Sequence, residues 1–167
     1  MTTLTSAKVR VKVADEVWIA TALLHRENPP RADFTIDEIV VRARAEAIAG
    51  ELRPGVRVHA LQHCVGNRRP SPDRYRMLFA TGKSTRRLFR PSDYSDPDRR
   101  GSKIVPEENE IPAAYRPLLA WYESEYANVR QEGVPEDSIL QLRGLGSEIW
   151  NGVDPDDYVR QLREGWE

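Results

Sequence analysis

One cysteine, Cys64, is present in 167 residues, so the chain carries no internal disulfide framework. No apolar run approaches the roughly 20 residues that a membrane span requires. The opening stretch from Met1 to Val13 lacks the apolar core of a secretory signal. Histidine is scarce, with only His25, His59 and His63. No phosphate-binding loop, nucleophile motif or dinucleotide fingerprint occurs: Gly144-Leu145-Gly146 lacks both the third glycine and a preceding strand. The carboxylate–lysine cluster of a nuclease is also missing. These absences lead to the expectation of a cytoplasmic protein that is no enzyme and holds no cofactor.

Acid is missing from one region in particular. Between Arg53 and Arg90 there are ten Lys and Arg and a single acid, Asp73. The net charge of the whole chain is only -1, because the ends oppose each other. Residues 1 to 103 carry 20 cations against 12 acids, whereas residues 104 to 167 carry 5 against 14. A basic stretch of this density suits a polyanion, with nucleic acid the first candidate. The acidic end suits a different partner, or a cover for the basic face.

The order of elements narrows the reading. Val13, Val17, Ala20 and Leu24 form a helical stripe that Asn28-Pro29-Pro30 ends. Thr35 and Glu38 have the spacing of a capping box, and Phe34 and Ile39 that of a hydrophobic staple, opening a second helix that should fade near Gly50. A third helix is expected from Pro54 to the residue before Gly66. At 100° per residue, its core face would hold Val58, Leu61 and Val65. His59, Ala60, His63 and Asn67 would lie opposite, with Val56 beside them. A hairpin follows, with strands in Tyr75 to Phe79 and Thr85 to Arg90 and a turn at Thr81 to Ser84. Residues 91 to 112 read as an extended loop. Another helix should start near Pro117, with Leu118, Tyr122, Tyr126 and Val129 on one stripe.

Three helices and then a basic hairpin is the order of a winged helix-turn-helix, an α+β fold. The domain would span residues 1 to 112, with a connecting helix over 113 to 133 and an acidic tail over 134 to 167. In this reading the third helix enters the major groove and the hairpin lies along the backbone. Arg57, His59, His63, Asn67, Arg68, Arg69, Arg74, Arg76, Lys83, Arg86 and Arg87 are the expected contacts to double-stranded DNA. A winged helix that docks another protein would use the same face and stays open as the alternative. His59 and His63 at i, i+4 also have the spacing of two metal ligands, but Cys64 points about 100° away from His63 and no third ligand completes a site.

Two resemblances add to this. The run Val58-His59-Ala60-Leu61-Gln62-His63-Cys64-Val65-Gly66-Asn67, with Tyr75-Arg76-Met77-Leu78-Phe79, Arg87-Leu88-Phe89-Arg90-Pro91 and Asp98-Arg99-Arg100-Gly101-Ser102-Lys103, and on to Tyr115 and Trp121-Tyr122, resembles a family of uncharacterised bacterial winged-helix domains over about residues 34 to 122. It implies a fold and no activity. Leu140 to Trp150 and Asp156 to Trp166 resemble the C-terminal segment of short bacterial antitoxins that pair with PIN-type ribonuclease toxins. That likeness implies a toxin-binding tail in which Trp150, Tyr158, Leu162 and Trp166 are anchors, and Arg160 or Arg163 reaches the toxin's acidic site. Such segments suit folding onto a partner, because a few aromatic and arginine side chains dominate binding energy. The combined expectation is a DNA-binding, antitoxin-like transcription regulator of a toxin–antitoxin system, in which a homodimer is one possible arrangement.

Overall fold

The computed structural model describes residues 10 to 128. The tail, and with it Trp150, Tyr158, Arg160, Leu162, Arg163 and Trp166, lies outside the described residues. Helix α1 (Val13–Glu27) is the centre of the fold. Its apolar residues are not confined to the expected stripe. Ala14, Val17, Trp18, Ile19, Ala20 and Ala22 are all fully buried, so neighbours cover the helix on nearly every side. Even Asp15 and Glu16 in its first turn have no exposure. Carboxylates are favoured at a helix N-terminus, and each here meets a cation. Lys103 Nζ lies 3.1 Å from Asp15 Oδ1, and Arg53 Nε donates to Glu16 Oε2 at 2.8 Å. Burial still pushes the Asp15 carboxyl above its usual range.

The capping box forms as its spacing predicts. Glu38 N donates to Thr35 Oγ1 at 3.2 Å, and Thr35 N donates to Glu38 Oε2 at 2.8 Å. The flanking Phe34 and Ile39 are both buried. Helix α2 (Ile36–Glu46) ends earlier than the sequence suggested, at a left-handed Ala47 with φ 46°. Phe34–Thr35 also forms a short strand, β1, that the sequence reading did not foresee. With β2 (Leu78–Ala80) and β3 (Thr85–Leu88) it makes a three-stranded antiparallel sheet in the order β1-β3-β2. The turn falls at Thr81 to Ser84 as expected, and both hairpin strands are shorter than expected.

Helix α3 (Gly55–Val58) continues as a wider turn over His59–His63, in which Cys64 N donates to His59 O. Its faces differ from those expected except at Val65, which is buried as the spacing predicts. Val56, Ala60 and Cys64 are buried, whereas Val58 and Leu61 are each 44% exposed. The buried stripe is made of small side chains, which lets this helix approach its neighbours closely. Gly66 follows it for a steric reason, since a Cβ there would stand 2.6 Å from the Phe89 ring. Helix α4 (Pro117–Trp121) continues over Tyr122–Tyr126 and begins where expected. The segment read as a connecting helix contributes Leu118, Tyr122 and Tyr126 to the same core. The Tyr122 hydroxyl donates to Phe89 O, and that of Tyr126 to Leu88 O at 3.2 Å. The fold is thus a mixed α+β arrangement of helices around a small antiparallel sheet. Among the described residues no helix is long and apolar enough to cross a membrane.

Candidate nucleic-acid interface

A helix leaves its last carbonyls without internal partners, and its C-terminus carries partial negative charge. Two buried arginines meet that need at the end of the third helix. Arg86, fully buried on β3, donates from Nε to Ala60 O at 3.1 Å and from Nη2 to Leu61 O at 3.1 Å. Its Nη1 reaches Thr85 O and Gly82 O. Arg99, also fully buried, lies in a short 3-10 turn, Pro97–Arg99. It donates to Gln62 O at 2.9 Å, His63 O at 2.8 Å, Tyr75 O at 2.6 Å and Arg68 O at 2.7 Å. Carbonyls from four successive residues, Ala60 to His63, are therefore answered by two guanidiniums. Burial, aided by the nearby Arg68 charge, pushes Arg86 down to about 10, which leaves it protonated at neutral pH.

These contacts correct several expected DNA-binding assignments. Arg86 has no surface from which to meet a phosphate. Arg87 is 5% exposed, forms a two-bond pair with Asp93 at 2.7 Å, and lies 4.3 Å over the Phe79 ring. Asn67 is not a base reader in this geometry. It donates from Nδ2 to Ala80 O at 3.0 Å and accepts from Ala80 N at 2.8 Å, closing the end of β2. Arg76 donates from Nε to Ser102 O at 2.9 Å. Arg99 was missed as a key residue because the loop that holds it carries no regular pattern.

His59 and His63 are half-buried, their rings 4.8 Å apart at a steep angle. His59 Nδ1 meets Gly55 O at 2.9 Å, so the neutral ring carries its proton there and presents a bare Nε2, 3.7 Å from Asp73 Oδ2. Burial lowers the His59 pKa, opposed by the Gly55 carbonyl. No group of three His, Cys, Asp or Glu able to hold a metal occurs among the described residues.

What remains on the surface is a smaller basic set than the composition suggested. Arg57 is exposed and paired with Asp37 at 2.5 Å. Arg69, Arg74 and Lys83 are exposed and Arg68 is half-buried, and none of the four has an acidic partner among the described residues. Arg68 Nη2 reaches Gly82 O at 3.4 Å, as does Arg86 Nη1 at 3.1 Å. Through Arg86, the Gly82-Lys83 turn is thus tied to the Leu61 carbonyl of the third helix. Arg68 and the turn that carries Lys83 therefore lie close to the Leu61 end of the helix. No family model, curated protein or solved structure matches this chain.

Proposed function

We propose that residues 10 to 128 form a winged-helix module that binds duplex DNA. The approach of Arg68 to Gly82 O, in the turn that also carries the exposed Lys83 and close to the exposed edge of the third helix, carries this reading. The order helix, strand, helix, helix, strand, strand, with the first strand paired to the last, supports it as the arrangement of a winged helix. Arg68, Arg69, Arg74 and Lys83 are the cations available to phosphates. The tail is proposed, on its resemblance alone, to bind a PIN-type ribonuclease toxin, which would make the whole chain an antitoxin that represses its own promoter.

If four phosphates are neutralised, log K against log salt should have a slope of about -3.6. A titration between 50 and 200 mM salt reads it directly. Absence of binding at the low end, with and without residues 134 to 167, defeats the DNA reading. Cutting the chain after Gly133 should preserve DNA binding and abolish toxin capture. A second reading, docking of a protein, is favoured by one observation: Val58, Leu61 and, on α2, Val41 are exposed. Exposed aliphatic side chains of this kind suit a protein partner.

A further inference from the structure

An arginine-rich protein that only gripped phosphates would have no use for aliphatic side chains at the centre of its contact edge. Here the outward edge of the third helix presents Arg57, Val58, Leu61 and Gln62, all exposed. Val58, Leu61 and Gln62 stand three and four residues apart, so they share one side of the helix. Arg57 is partly occupied by Asp37. Arg68, which has no acidic partner among the described residues, reaches the hairpin turn that carries Lys83, next to the Leu61 end. The face is therefore apolar at Val58 and Leu61, with one amide and positive charge toward its Leu61 end.

Each of these side chains has a natural counterpart in the major groove. Thymine alone presents a methyl group there, and aliphatic side chains contact it favourably. Gln pairs in two-bond fashion with adenine N6 and N7. Guanine is best read by Arg or Lys, and the residue placed to do so, Arg57, is turned toward Asp37. Resting on the proposal that this face binds duplex DNA, we infer that it selects A·T base pairs, with Val58 and Leu61 against thymine methyls and Gln62 on adenine. The flanking positive charge complements the duplex backbone and sets this occupant apart from an apolar protein surface. Asp33 also lies near the turn, where Thr81 Oγ1 donates to it, and Asp37 lies near Arg57. Asp37 would repel phosphates at the Arg57 end, which leaves backbone contact to Arg68 and Lys83, with Asp33 an opposing charge beside Thr81 that they must outweigh.

The test compares three short duplexes by fluorescence anisotropy with the full-length protein at about 50 mM salt. One is A·T-rich, the second has the same sequence with deoxyuridine in place of thymidine, and the third is G·C-rich. The thymidine duplex should bind tightest. Deoxyuridine should weaken binding about fourfold for each methyl contacted, the value of one buried carbon. Val58→Ala with Leu61→Ala should erase the difference between thymidine and deoxyuridine while leaving weaker binding to both. Because the two residues are exposed, that variant should melt near the parent temperature. Gln62→Ala should narrow the gap between A·T-rich and G·C-rich duplexes. Binding that is indifferent to the methyl overturns the inference and leaves the DNA reading standing. The same is true if the double variant binds all three duplexes as the parent does, in which case the face belongs to a protein partner. No binding to any duplex overturns both.

Discussion

Arg99→Met should lower the melting midpoint by about 10 °C or more. The substitution strands the carbonyls of Gln62, His63, Arg68 and Tyr75, which now accept from one guanidinium. Leaving buried acceptors without a donor costs about 1 to 3 kcal/mol each, so a net loss of about 4 kcal/mol is expected even after partial relaxation. At about 3 °C per kcal/mol for a chain of this size, the shift exceeds that of any surface change. Arg99→Lys should recover little, because an ammonium cannot present planar donors to four diverging carbonyls. Lys83→Ala supplies the contrast. It should leave the midpoint within about 2 °C while weakening DNA binding at every sequence. Equal melting of the Arg99→Met variant and the parent contradicts the helix-capping role.

Acid should destabilise the protein from about pH 6.5 downward, and His25 is the largest identified cause. Its ring is buried between Phe34 and Tyr126, with centroids 4.9 and 4.8 Å away, and its Nε2 faces Leu88 N at 3.4 Å. Burial, then the charges of Arg90 and Arg87, bring its pKa down to about 4 from 6.5. Between those values the unfolded chain binds a proton that the folded chain refuses, so stability falls as pH falls. Across the whole window the loss is about 3 kcal/mol, or about 10 °C in midpoint. Burial also lowers His59, which acts in the same direction, whereas the raised Asp15 opposes it. Glu38, held down to about 2 mainly by its bonds to Arg31 and Thr35, adds a loss only below pH 4.5. Comparing the parent with His25→Gln isolates the histidine, since the other groups cancel in the difference. A midpoint that falls equally in both between pH 6.5 and 4 rules His25 out.

The contrast between these residues explains what the sequence could reveal. Thr35 and Glu38 satisfy each other three residues apart, and local partners are visible in a linear string. The turn at Thr81 to Ser84 and the start of α4 at Pro117 were legible for the same reason. The arginines were not. Arg99 serves carbonyls between 24 and 37 residues away, and Arg86 reaches back 25 and 26 residues to the third helix. Ten cations in one stretch looked like surface, yet Arg53 bonds Glu16, Arg86 is enclosed, Arg87 holds Asp93 and Arg90 lies 4.6 Å over Tyr126. The candidate contact set shrank accordingly.

Of the aliphatic stripe that spacing puts on the core side of the third helix, Val65 is enclosed and Val58 and Leu61 are not. Val56, Ala60 and Cys64 make an equally regular stripe, and their small size suits the tight approach that the fully enclosed α1 demands. Val58 and Leu61 were left outside. That surplus of exposed aliphatics is the one sequence-visible signal that could have marked them as contact residues. Strand β1 was invisible for a different cause, since two residues carry no alternation to detect.

The long reach of the capping arginines also orders events during synthesis. When the third helix leaves the ribosome, the guanidiniums that will seat its end have not yet emerged. Arg86 follows Leu61 by 25 residues and Arg99 follows Gln62 by 37. The tyrosines that cover the Leu88 and Phe89 carbonyls come later still, at Tyr122 and Tyr126. A nascent chain halted before Arg99 therefore has a helix–turn unit without its lock, open to proteases and unable to hold the proposed contact edge in place. Competence to bind should appear in one late step, after α4 has cleared the exit tunnel, because most of the decisive bonds span long stretches of chain.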